Sequence, residues 1–149
     1  MTVERYIDLL EKNFVIFRLL PFSGNLRSEL KKQRKIYFWD IGIRNALLND
    51  FTPFHLRSPD DKGRLWENFI IAEQMKLNSN LEQGFNLHFW RTKDGAEIDL
   101  VKIKDNQIFA YEIKLRKIAR LPNSFAKYSP QTFETITMSN FEQYMEVGL

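Results

Sequence analysis

FNLHFWRTKDGAEIDLVKIKDNQIFAYEIK, residues 85–114, is the stretch that decides the fold. Runs rich in Phe, Ile, Val, Tyr and Trp are broken at Lys93-Asp94-Gly95 and again at Asp105-Asn106. That pattern predicts three short strands joined by turns. If Asp105 and Asn106 form the two-residue loop of a hairpin, Lys104 faces Gln107. Counting outward, Asp99 then faces Glu112 and Glu97 faces Lys114. Side chains alternate along a strand, so these four share one face with Val101, Ile103, Ala110 and Ile108. Ile98, Leu100, Phe109, Tyr111 and Ile113 fall on the other. Two apolar faces suit a strand pair covered on both sides. A slip of one residue would separate Asp99 from Glu112.

Directly opposed side chains have Cβ atoms roughly 4.5–5.5 Å apart. Two carboxylates at that distance repel unless a cation or a proton lies between them. One reading is a solvated sheet edge with cross-strand salt bridges. The other is a divalent metal site, because Mg²⁺ takes carboxylate oxygens and keeps several waters. A lysine two residues along the same face could hold a water or a phosphate, which completes the equipment for metal-assisted phosphodiester hydrolysis. Glu67 belongs to the same question. Ile70 and Ile71 lie three and four residues on, so its carboxylate heads an apolar stripe and needs a partner. The strand carboxylates with their metal would provide one; so would Arg64 or Arg91.

An acid-bearing helix, a strand, an Asp-bearing strand and a Glu-Ile-Lys strand, in that order, resemble the restriction-endonuclease-like, PD-(D/E)XK nuclease superfamily. More narrowly, the chain is similar to the nuclease-like domain at the C-terminal end of a family of bacterial and archaeal AAA+ ATPases. The matching segments are KIYFWDIGIRNALL at 35–48, GRLWENFIIAEQMK at 63–76, FWRTKDGAEIDLV at 89–101 and YEIKLRK at 111–117. The sequence departs from the superfamily pattern at Ile98, where a proline would precede the aspartate. The resemblance implies an α/β, restriction-endonuclease-like mixed sheet flanked by helices. It assigns Asp99, Glu112 and the carbonyl of Ile113 to a Mg²⁺ or Mn²⁺ ion, Lys114 to the attacking water and Glu67 to an assisting role. It also implies DNA as substrate and an ATPase module upstream, with this chain a piece of a larger protein. The same scaffold without catalysis, serving the ATPase as an interaction or regulatory module, is the alternative.

The remaining chain fits one domain with a small appendage. Thr2–Asn13 reads as a helix, and Phe14–Leu20 and Lys35–Trp39 as two strands, together a winged-helix-like segment and connector over 1–48. The restriction-endonuclease-like domain would then occupy 49–149. Between the two strands, Arg27, Lys31, Lys32, Arg34 and Lys35 stand against the single acid Glu29. Such a run is either a solvated loop or a phosphate-contacting wing. Arg116, Lys117 and Arg120 form a second basic cluster just after Lys114. Ser58-Pro59-Asp60-Asp61 starts a helix expected to reach Leu77. Further short helices are expected near 40–48, at 121–128 and from Phe141, with a strand over 132–138.

The chain contains no cysteine, which excludes disulfides and thiolate zinc sites and agrees with a cytoplasmic setting. No apolar run approaches the roughly 18 residues of a membrane span. No Gly-x(4)-Gly-Lys-Ser/Thr loop is present, so the chain carries no Walker nucleotide site of its own. A net charge of +3 does not by itself mark a nucleic-acid binder.

Overall fold

The computed structural model describes residues 2–22 and 34–145. It is a mixed α/β structure with a four-stranded sheet, a two-stranded sheet and helices. Helix α1, Val3–Lys12, starts where the Thr2 hydroxyl accepts from the Arg5 amide. Strands β1 (Ile16–Leu19) and β2 (Lys35–Phe38) pair antiparallel, Ile16 opposite Phe38 and Leu19 opposite Lys35. Helix α2, Ile41–Leu47, is capped by Asp40.

Helix α3, Pro59–Asn80, begins as the sequence predicts. Ser58 accepts from the Asp61 amide, proline occupies the first turn, and Asp60 and Asp61 face the positive end of the helix dipole. It runs three residues past Leu77 and straight through Gly63. Burial of Trp66, Ile70 and Ile71 against the sheet outweighs the intrinsic cost of one glycine.

The main sheet has the order β3 (Asn86–Arg91), β4 (Glu97–Lys104), β5 (Gln107–Ile113), β6 (Thr132–Ile136). The first two pairings are antiparallel and β5–β6 is parallel. Asp105 and Asn106 both have positive φ, 50° and 62°, as the tight hairpin turn that matches strand twist requires. The β4–β5 register runs from Lys104–Gln107 to Leu100–Tyr111, the one deduced from the turn. Helix α4, Asn123–Ala126, is shorter than the expected 121–128. The expected helix from Phe141 is a single 3-10 turn, Phe141–Tyr144.

One feature of β4 departs from simple alternation. His88 pairs with Val101 but Trp90 pairs with Ile98, so Phe89 alone faces both Asp99 and Leu100. This β-bulge puts an extra residue into β4 and resets which face each side chain takes. Ile98 and Leu100, expected on one face, therefore part. Leu100 joins Ile113, Phe89, Ile70 and Ile71 in the core under α3, whereas Ile98 packs with Val101, Ala110, Trp90 and Phe125 on the other side.

The two-stranded sheet is built into this structure. Phe17, Leu19 and Tyr37 belong to the same core as Trp66, Ile70 and Leu100, so residues on both sides of the expected 48/49 division share one interior. The chain after β1 lies along the outer edge of β3. Phe89 donates to the Leu20 carbonyl, and its own carbonyl accepts from Phe22. On the far side of β2, buried Asn68 of α3 takes the Phe38 amide at 2.9 Å and donates to the Phe38 carbonyl at 2.8 Å. Replacing Asn68 by leucine leaves two backbone groups of β2 without partners, and stability is expected to fall by about 2 kcal/mol. A lower urea midpoint with an unchanged denaturant slope is the expected result.

Candidate functional site

The end of the β4–β5 hairpin away from its turn gathers the charges. Beyond Leu100–Tyr111 the ladder gives way to a side chain: the Ile113 amide donates to Asp99 Oδ2 at 2.9 Å. Asp99 and Glu112 are both buried and within hydrogen-bonding reach of each other. Lys114 Nζ lies 3.4 Å from Asp99 Oδ2 and 2.9 Å from Glu112 Oε2. The buried Glu112 Oε2 therefore has the Lys114 ammonium beside it. The sequence-based pair and its lysine are thus together. The Ile113 amide contributes through its bond to Asp99.

A second cation enters from β2. Lys35 Nζ is 2.9 Å from Glu67 Oε1 and 3.7 Å from Asp99 Oδ1, and it also contacts Glu97. The Tyr37 hydroxyl, two residues along the same strand, donates to Glu67 Oε1 at 2.6 Å. The partners of Glu67 are therefore Lys35 and Tyr37, not Arg64 or Arg91. Arg91 holds Glu97 Oε2 instead, at 2.8 Å, so Glu97 does not meet Lys114 as the plain register count had it. Glu67, Glu97, Asp99 and Glu112 thus meet three protein cations.

These contacts split the titration of the acidic pair. Burial opposes the Asp99 charge, but the hydrogen bond from Glu112, the Ile113 amide, Lys114 and Lys35 outweigh it and hold Asp99 below the usual carboxylate range. Burial, together with the hydrogen bond to Asp99 and its charge, pushes Glu112 up to about 8. One proton shared by the pair relieves the repulsion. Burial also opposes the charge on Lys114, yet Asp99 and Glu112 keep its pKa above the ordinary value.

The donor set suits a hard cation. Two carboxylates stand side by side as oxygen donors, with the Lys114 ammonium 2.9 Å from the buried Glu112 Oε2. Among the described residues, no three Asp, Glu or His side chains converge as a ready-made metal cluster, so water would complete the coordination.

A groove of about 940 Å³ opens beside this cluster, lined by Lys62, Arg64, Glu67, Lys114, Arg116 and Lys117 among others. An adjoining hollow of about 590 Å³ adds Arg120 and shares Lys114 and Lys117. The sequence reading had Arg116, Lys117 and Arg120 near the site but missed Lys62 and Arg64, which α3 delivers from its first two turns. It grouped Arg34 and Lys35 with a basic wing. In the structure Arg34 contacts Glu4 of α1, and Lys35 turns inward to the carboxylates. Lys31 and Lys32 lie outside the described residues. The alternation of Lys35 and Tyr37 on one strand face was the signal for their shared role.

Residues 62–136, just over half of the chain, match the family described as a domain of unknown function, DUF4143. The chain belongs to that family. Residues 1–53 match a second domain of unknown function, DUF8612. The DUF4143 chain is also similar, at 29% identity over 113 residues, to an uncharacterized protein of Mycobacterium bovis and to one of Mycobacterium tuberculosis. Each match covers 76% of this chain and 25% of the relative. The chain thus spans about a quarter of the length of the curated relatives it matches. No solved structure matches it significantly. Among the described residues, no helix is long and apolar enough to cross a membrane.

The Glu112 shift has a measurable consequence. Its folded pKa lies above the unfolded value, so the folded state binds the extra proton more tightly, and stability falls as pH rises from about 5 to about 8. Asp99 is shifted the other way and acts only below that window. Glu112→Gln is expected to flatten the dependence, which thermal melts across this pH range would show. An equally steep slope in the variant would contradict the assignment.

Proposed function

We propose that this domain is a divalent-cation-dependent phosphodiesterase of the restriction-endonuclease-like kind, acting on DNA. We further infer that it forms the C-terminal part of a larger protein with an ATPase module. The observation that carries the reading is the Asp99–Glu112 pair with Lys114 beside it, at the edge of a groove lined by basic residues. Asp99 and Glu112 would hold Mg²⁺ or Mn²⁺, with the Ile113 carbonyl as a further ligand. Bound there, the cation would supply charge neutralisation at the phosphodiester and a water acidic enough to attack near neutral pH.

The protein groups divide the remaining work. Lys114 stays protonated, because its acidic neighbours hold its pKa above the ordinary value. It is therefore a donor that orients the attacking water or a phosphate oxygen, not a base. Arg116 and Lys117, with Lys62 and Arg64 across the groove, would bind the backbone through phosphate contacts that carry no sequence information. Glu67 lines the same groove and would assist the water or the cation. The size of the curated relatives leaves room for an upstream module.

One observation favours the second reading, a non-catalytic interaction or regulatory module. Lys35 and Lys114 already neutralise the carboxylates that a metal would need. Plasmid nicking decides between the two. With millimolar Mn²⁺ or Mg²⁺ the wild-type chain is expected to nick supercoiled DNA. Asp99→Asn and Lys114→Ala should each slow nicking by about 100-fold or more. Lys114→Ala should still bind Mn²⁺ in calorimetry, whereas Asp99→Asn should not. A wild-type chain that binds metal without nicking is the module.

A further inference from the structure

Lys35 occupies an unusual position for a strand lysine. Its side chain is 17% exposed, and its ammonium is shared among Glu67, Glu97 and Asp99. It lies 5.5 Å from the centre of the Phe89 ring, so an aromatic side chain also packs beside it. The stem is fixed at the first position of β2, whose Tyr37 and Phe38 are tied to Glu67 and Asn68 of α3. Lys114, by contrast, is 44% exposed in the groove and can shift without disturbing a strand.

Counting charges shows why this matters. Four carboxylates face Lys35, Lys114 and Arg91, which leaves the cluster one negative charge. A divalent cation entering it leaves one positive charge too many. Asp99 makes the conflict local. Its Oδ2 is taken by the Ile113 amide and by Lys114, so Oδ1 is the oxygen open to a metal, and Oδ1 is the one that faces Lys35.

We propose that Lys35 is a built-in competitor for the divalent cation: it holds the carboxylates together in the metal-free protein and leaves Glu67, Glu97 and Asp99 when a cation binds at Asp99 and Glu112. The inference rests on the metal site proposed above and assigns it a regulator. Release of Lys35 also leaves Glu67 Oε1 held by the Tyr37 hydroxyl alone. Because Lys35 sits on β2, anything that shifts β2 alters cation affinity, and cation binding in turn acts on β2.

Two measurements on the whole chain test this. In calorimetry with Mn²⁺, Lys35→Met is expected to bind about tenfold or more tightly than wild type, because the competing charge is gone. Lys35→Arg keeps the charge and should not gain. Removing one charge would raise affinity even if Lys35 never moved, so acylation of the wild-type lysines, read by peptide mass spectrometry, provides the second arm. Lys35 should be protected without metal and modified several-fold faster with saturating Mn²⁺. Wild type and Lys35→Met binding Mn²⁺ equally, or Lys35 labelling unchanged by bound Mn²⁺, overturns the competitor role and leaves the metal site standing. Absence of Mn²⁺ binding in both proteins overturns the two together. Tight binding by Lys35→Met alone, if the wild type shows none, supports the competitor role most strongly.

Discussion

Like charges forced into one interior govern this structure. A hairpin end that buries Asp99 against Glu112 is unstable unless something positive enters, and the protein answers with a proton and three cations. The two acids are not equivalent in this arrangement. Asp99 has an amide and two ammonium groups aimed at it, whereas Glu112 has the Lys114 ammonium, which it shares with Asp99. That asymmetry lets one acid keep its charge while the other keeps the proton. The bulge opposite Phe89 underlies it, since it is there that β4 acquires the extra residue beside Asp99.

The hairpin and the long helix were legible because their determinants are local. Asp105 and Asn106 tolerate left-handed backbone, which fixes the loop, and the loop fixes the register. Ser58, Pro59 and the two aspartates start α3 by side-chain chemistry confined to four residues. The bulge was not legible, because it depends on how β3 meets β4, and nothing in residues 97–104 marks an extra residue. Lys35 was misgrouped for a similar reason. It stands next to a run of cations in the sequence, and only the pairing of β2 beside α3 turns it inward. The terminal segment reads as a helix by its cap, but its described turn is limited to Phe141–Tyr144, held by Tyr144 on Glu134 and Gln74.

The groove shows how little net charge reveals about a surface. An excess of three positive charges over 149 residues suggests no particular ligand. Yet Lys62 and Arg64 at the start of α3 and Lys114, Arg116 and Lys117 at the exit of β5 converge from segments about fifty residues apart. Cations elsewhere are spent internally: Arg18 on Glu4, Asp8 and Glu11, and Arg57 on Asp50 and Asp61. The sign of the groove therefore follows from where the fold gathers lysines and arginines, including Arg64, paired with Asp60, and Lys114, paired with Asp99 and Glu112.

The seam between the chain after β1 and the outer edge of β3 bears on where this protein can be cut. A polypeptide trimmed to residues 62–136 would keep the four strands but lose Leu20 and Phe22, baring the amide and carbonyl of Phe89 on an open border. It would also unroof the interior that Phe17, Leu19 and Tyr37 close. The DUF4143 match is thus smaller than the interior it helps to form, and the segment that carries Lys35 falls in the DUF8612 match over residues 1–53.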